Sequence, residues 1–326
     1  MNGKAQSSGY LAAAITKSAS KQTYYTIRLF VDRERVADAY RAYGYFRWVD
    51  DVIDAESGSM SEKIAFADRQ KSLLESCYYG KTPDDLCPEE WMLVDLIRND
   101  TEKNSGLQMY LYNMMDVMLF DAKRRGQVIS QVELFDYSHK LSKAVTEAIY
   151  YFIGHDDPAS LHEARYMAVT AAHITHMLRD ALEDVENGYY NIPSEYIATW
   201  GRIPFFTNFR TVTITPEDVK SQAYRDWVCG RVQVARGYFK MGRECTAQVK
   251  NLRCRLAGYA YTARFEWMLD AIERDNYCLR SEYPERKSLR TGLWMIWTTV
   301  TSMFASLSIK AESRKLAPQP VRIDKR

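Results

Sequence analysis

The chain has 326 residues, 46% of them hydrophobic and 13% aromatic, enough to bury one large core. Lys and Arg number 44 against 42 Asp and Glu, so the net charge of +2 excludes the basic excess of a nucleic-acid binder. The six cysteines include no C-x-x-C pair, which argues against a zinc site or a disulfide framework and for a reduced, cytoplasmic protein.

Residues 1–17 hold only a short apolar run, LAAAI, and read as a flexible N-terminus rather than a signal peptide. Asp32 is placed to cap a helix over 35–55, where Val36, Tyr40, Tyr43 and Phe46 keep helical spacing. GSMSEKIAFADRQKSLLES predicts a second helix capped near Ser61, and PEEWMLVDLIRND a third with Pro in its first turn. Helices follow over the Met-rich 107–125, then 132–153 and 161–187. TVTIT is the one run of β character. Pro216 opens a helix reaching 250, and 257–277 is another. The uncharged stretch 291–309 is rich in Thr and Ser and flanked by Arg290 and Lys310. It reads as a final core helix or a membrane-surface helix, which would associate the protein peripherally with a membrane, in preference to a span. Residues 311–326 read as a disordered tail. The expectation is an all-α chain with one domain over 18–310.

Two stretches carry chemistry. In YRAYGYFRWVDDVIDAE, Asp50 and Asp54 are four apart and share a helical face with Arg47 and Tyr43. In AAHITHMLRDALEDVENGYYNI, one face presents His173, His176, Asp180 and Asp184, with Arg179 beside them. Four inward-pointing ligand groups are costly to bury without a cation. Carboxylate oxygens suit Mg²⁺, which keeps open positions for phosphate oxygens. Two such helices facing one another could hold a diphosphate through metal bridges. Taken singly, each pair also fits a solvated, salt-bridged helix face, with Arg47 and Arg179 as structural counter-ions. His176 fits either a metal ligand or a hydrogen bond to Asp180 or Asp184, and His173 fits a core position.

These stretches, with ELFDYSHKLSKAV and RLAGYAYTARFEWMLDAIERDNY, resemble the squalene/phytoene synthase family over residues 18–287. The resemblance implies an isoprenoid synthase fold: a helical bundle around a central apolar cavity. It implies Mg²⁺ (or Mn²⁺) held by Asp50, Asp54, Asp180 and Asp184, with His176 in ligand register. It implies a prenyltransferase acting on an allylic prenyl diphosphate, with NADPH only if a squalene-type reduction occurs. Lys21, Arg28, Arg47, Arg179 and Lys287 become diphosphate candidates. Tyr43, Tyr137, His139 and the Met114, Met115 and Met118 cluster become candidates for the cavity wall.

The chain departs from the family at several positions. His176 stands where the family has Asn, His173 where it has Gln, His139 where it has an aromatic, Lys143 where it has Gly, and Phe265 where it has Tyr. Lys and two His near a cavity would suit a polar or aromatic acceptor, or a base that quenches a cation. Three outcomes therefore follow from the sequence: coupling of two prenyl diphosphates, transfer to another acceptor or cyclisation, and a scaffold that has lost catalysis. A redox metal on His173 and His176 is a further alternative, and it leaves the first acidic helix without a role.

Overall fold

The computed structural model describes the backbone of residues 2–154, 163–199 and 212–316, with side chains over 7–154, 163–199 and 212–304. In chain order these residues form α1 (Asn2–Ala19), α2 (Lys21–Phe30), α3 (Val36–Asp54), α4 (Met60–Tyr78), α5 (Glu90–Arg98), α6 (Gly106–Arg124) and α7 (Gln131–Phe152). There follow α8 (Met167–Glu186), the short α9 (Ser194–Ala198) and α10 (Pro216–Val219), then α11 (Gln222–Gln248), α12 (Leu252–Arg274) and α13 (Leu289–Leu316). The fold is all-α; the one β feature among the described residues is an isolated bridge between Val128 and Tyr190.

Local chemistry sets the boundaries. Ser59, Ser130 and Thr215 each close a capping box with the acidic residue three positions on, Glu62, Glu133 and Asp218. The cap expected near Ser61 therefore falls at Ser59, because Glu62 can reach back only to that amide. TVTIT forms no strand over its described residues 212–215; Ile214 is buried and Thr215 caps α10. The helix expected from Pro216 to 250 breaks at Lys220, and Ser221 caps a new one. Asp32 makes no cap bond. It pairs with Arg253 at the start of α12 instead.

The N-terminus corrects the expectation of flexibility. Ser8, Ala12 and Thr16, four apart, form a small-residue stripe, and all three are buried. The stripe lets α1 approach α3 so closely that a Cβ on Gly44 would lie 3.1 Å from the Ala12 Cα. Ser8 donates to Asp95 at 2.6 Å and accepts from Arg41 Nε at 3.0 Å, which fixes α1 to α5 and α3. The backbone of α13 continues to Leu316, so 311–316 prolong a helix; residues 317–326 of the expected tail lie outside the described residues.

Two apolar cores organise the bundle. One gathers buried residues of α3 to α6, such as Tyr45, Leu74, Leu93 and Met115. The other gathers those of α8, α11 and α12, such as Leu178, Phe239 and Leu269. Tyr137 on α7 packs against both. The acidic helices α3 and α8 belong to different cores, so the seam between the cores is where they can face one another.

Candidate active site

Asp50 and Asp54 lie one turn apart at the C-terminal end of α3. The Asp50 side chain keeps 39% of its surface open to solvent. Its carboxyl is nevertheless pushed up to about 7, first by the protein mass around it and then by the Asp54 charge, against the pull of Arg47. Arg47 is held on its own helix, 3.3 Å from Asp50 and paired with Asp51.

Across the seam, α8 presents Asp180 and Asp184. Arg179 Nε donates to Asp180 at 2.5 Å, and His176 Nε2 lies 3.2 Å from the same carboxylate. Asn191 donates to Asp184 at 2.8 Å. Burial and then the Asp180 charge push Asp184 up to about 7, against Arg124. In each pair one carboxyl is thus held toward its neutral form, by burial first and by its neighbour's charge second.

A set of side chains from the end of α6 and the turn after α8 ties the two helices together. Tyr189 donates to Asp54 at 2.9 Å, so the segment following one acidic helix binds the other. Arg124 donates to Asp121 at 2.6 Å and to Asn191 at 2.9 Å, and Tyr137 donates to Asp121 at 3.0 Å. The Arg124 guanidinium lies 4.7 Å from the Tyr137 ring centroid and 5.0 Å from that of Tyr189. Gly188 makes the turn possible. Its φ of +83° is a left-handed conformation that ends α8, and its carbonyl accepts from the Gly126 amide at 2.7 Å.

Three guanidinium groups converge on the α8 side. Arg264 on α12 lies close enough to Arg286, Arg179 and Tyr43 to feel their charges. Burial first, and then those two arginines, lower its proton affinity. Arg286 is lowered likewise, by burial and then by Arg179. Neither Arg264 nor Arg286 pairs with a carboxylate among the described residues. His176 keeps 51% of its side-chain surface open. The surrounding protein mass, followed by Arg179, still pushes its pKa down to about 4, so the imidazole is neutral. Among the described residues no three of His, Cys, Asp and Glu converge as a ready-made metal cage. The aspartates instead lean on Arg47, Arg179, Tyr189 and Asn191.

Residues 16–291 match the squalene/phytoene synthase family. The chain belongs to that family. It is 23% identical over 261 residues to a chloroplastic phytoene synthase of Daucus carota, and 22% identical over 266 residues to that of an Oncidium hybrid cultivar. Each alignment covers 78% of this chain but only 61% and 59% of those relatives, so the chain spans about three fifths of their length. Squalene synthase HpnC from Alicyclobacillus acidocaldarius superposes with a TM-score of 0.64 at 18% identity, covering 85% of this chain and 97% of that one. A dehydrosqualene synthase solved with a ligand gives 0.66 at 16%, covering 94% and 98%. The architecture is thus the isoprenoid synthase fold, in a divergent family member.

Within that family frame, several residues singled out by sequence make their contacts away from the four aspartates. His139 stacks on Phe135 and sits 3.8 Å from Glu163, and none of its contacts reaches the aspartates. Lys143 reaches over the Tyr166 ring at 5.8 Å. His173 is buried, 3.1 Å from Ser138 and edge-on to Tyr137. Tyr137 is half-buried, and its hydroxyl supports Asp121 rather than one of the motif aspartates. Phe265, Met115 and Met118 are core residues. Lys21 and Arg28 are exposed on α2, where Arg28 lies near Tyr40. Lys287 is exposed too, while its neighbour Arg286 is the one that faces Arg179 and Asp180. Asp121, Arg124, Tyr189, Asn191, Arg264 and Arg286 escaped the sequence reading. Only the Asp121–Arg124 spacing and the GYYN following the second motif offered a signal.

Proposed function

We propose that the chain ionises an allylic prenyl diphosphate of farnesyl or geranylgeranyl type and couples the resulting cation to a second prenyl diphosphate. The observation that supports this reading is the Tyr189–Asp54 hydrogen bond, which ties the turn after the second acidic helix to the first. Beside Asp180 stand Arg179 and Arg286, with Arg264 next to them, and neither Arg264 nor Arg286 pairs with a carboxylate among the described residues. A diphosphate supplies the missing anion.

Mg²⁺, or Mn²⁺ in its place, fits the donor set. Burial first, and then the neighbouring aspartate, raise Asp50 and Asp184, and a hard divalent cation would favour their charged forms. Asp50, Asp54, Asp180 and Asp184 would hold it. Bound there, it neutralises charge developing on the departing diphosphate. His176, already on Asp180, orients that carboxylate. Arg179, Arg264 and Arg286 receive the diphosphate oxygens and stabilise the charge as the C–O bond breaks and its electron pair leaves with the diphosphate. Tyr43, beside Arg264, offers an aromatic face toward the allylic cation. The π electrons of the second prenyl chain then form the new C–C bond, which moves the positive charge to that chain. An adjacent C–H bond then gives up its proton to a base, and its electron pair closes the charge. NADPH enters only if the product is reduced as in squalene formation.

A second reading keeps the ionisation and changes the ending. A neutral imidazole at His176 can take a proton from the cation, giving an elimination or cyclisation product. Incubation with farnesyl and geranylgeranyl diphosphate and Mg²⁺, with diphosphate release and mass spectrometry of products, decides. Absence of release with every chain length would remove both readings.

We also place α13 at a membrane surface. No helix among the described residues is long and apolar enough to cross a membrane. Yet Leu289, Leu293, Ile296, Trp297, Val300 and Phe304 form one exposed apolar stripe, with exposed Lys287 and Arg290 at its start. Leu293→Glu with Trp297→Glu should abolish flotation with anionic vesicles. Equal flotation of the variant would exclude this surface.

A further inference from the structure

Two arginines in the later turns of α11 are paired with carboxylates. Arg236 binds Asp270 at 2.5 Å and Glu273 at 2.6 Å, and Arg243 pairs with Glu266. Arg231, little more than one turn before Arg236 on α11, breaks the pattern. It makes no hydrogen bond or ion pair among the described residues, and burial lowers its proton affinity. An unpaired guanidinium held among apolar walls is costly, and the cost is removed by an anion.

Arg231 lines a half-open cavity of about 680 Å³ between α7, α8, α9 and α11. That size lies within the range of small-molecule sites, roughly 300–1,000 Å³. It is separate from the aspartate cleft. On α8 the cavity takes Met167, Thr170 and Ile174, whereas the cleft takes His176, Asp180 and Asp184. On α7 it takes Leu134, Phe135 and Ser138, whereas Tyr137 turns to Asp121. Its walls are largely apolar, with Leu134, Phe135, Ile174, Trp227 and Val234 among them. Two carboxylates line it as well, Glu163 beside His139, which also lines the cavity, and Glu195 at the start of α9. Glu163 lies 3.8 Å from His139, and Glu195 accepts from the Gln131 amide at 2.9 Å and the Ser194 hydroxyl at 3.1 Å.

We propose that this cavity binds a small amphiphile with one anionic head group, the head on Arg231 and the tail along the α7–α11 wall. The head is a carboxylate or a phosphate monoester; either satisfies a guanidinium with two parallel hydrogen bonds. The site is independent of prenyl transfer, because none of its lining residues touches the aspartates.

Calorimetric titration of the full chain, with neither metal nor prenyl diphosphate present, tests it. Laurate and dodecyl phosphate are the two probes, and dodecanol and inorganic phosphate are the controls that lack head or tail. One of the two amphiphiles should bind saturably, and the preferred one identifies the head group. Arg231→Met should weaken that binding at least about tenfold and leave dodecanol unaffected, while Arg231→Lys should retain most of it. Val234→Trp should block head-bearing and headless chains alike by filling the cavity. Because Arg231→Met removes an unpaired charge, its melting temperature should stay level or rise, so lost binding cannot be ascribed to unfolding. The proposal is overturned if neither amphiphile binds folded protein at up to about 1 mM. Equal affinity for Arg231→Met would overturn it too.

Discussion

The two acidic helices share one D-x-x-x-D spacing but meet different surroundings. On α8, Asp180 and Asp184 stand among Arg179, Arg264, Arg286, Arg124 and a neutral His176. On α3, Asp50 and Asp54 have Arg47 as their own cation, and Arg47 is already shared with Asp51. The α8 side can attract a diphosphate with protein charges alone. The α3 side gains an attraction for diphosphate only when a divalent cation reverses its sign. On the proposed function the helices are therefore not equivalent halves of one clamp: α8 would recognise the leaving group, and α3 would depend on the metal.

The largest effect should come from Asp50→Ala and Asp180→Ala, each lowering diphosphate release by at least about a thousandfold. The asymmetry is sharpened by what remains. Asp180→Ala keeps Arg264 and Arg286, so it should still bind inorganic diphosphate in equilibrium dialysis. If Asp50→Ala retains full Mg²⁺-dependent activity, the division of labour is wrong.

Arg264→Gln and Arg286→Gln come next. Each deletes a charge-assisted bond worth about 1.5–3 kcal/mol, or roughly 10- to 100-fold in kcat/KM for the prenyl diphosphate. Lys287→Gln, one residue from Arg286 but turned to solvent, should stay within about twofold. A larger loss at Lys287 than at Arg286 would reverse the assignment.

Asp50 and Asp184 give the comparison a pH signature. Both carboxyls sit near 7 in the folded, metal-free protein, well above their unfolded value of 3.8. The folded state thus holds protons that the unfolded state has released, and ionisation destabilises it as pH rises from about 4 to about 7. His176 runs the other way, since its folded value of about 4 lies below the ordinary 6.5. Comparison with Asp50→Asn/Asp184→Asn cancels that contribution. The gain in melting temperature of the double variant should be small near pH 4, grow through pH 7 and level off above it. Mg²⁺ at pH 8 should raise the wild-type melting temperature and leave the variant unmoved. A pH-independent difference would mean that the two carboxyls are not crowded as described.

The helices that carry the aspartates were legible because their cause is local: four-residue spacing, apolar flanks and a Gly after α8. The partners were not, because their cause is tertiary. Arg286 and Lys287 are equally basic in sequence, and only the 3-10 turn before α13 decides which one faces Asp180. His139 looked like a cavity residue by family register, yet its face of α7 turns to Glu163. The N-terminal helix was misread because its buried stripe, Ser8, Ala12 and Thr16, is small rather than greasy, so composition gave no sign of the close contact with Gly44.

The smallest effect tests the bridge itself. Tyr189→Phe deletes one hydrogen bond to Asp54, a carboxylate that remains exposed, so the loss should be near the low end of 0.5–1.5 kcal/mol, about threefold. Its form matters more than its size. Tyr189 holds Asp54 where α3 faces α8, and Asp54 is assigned to the metal. The variant should therefore need more Mg²⁺ for half-maximal rate and reach the same rate once saturated. A lowered rate at saturating Mg²⁺ would make Tyr189 part of the reacting surface. An unchanged Mg²⁺ requirement would mean that α3 finds its place opposite α8 through the two cores alone.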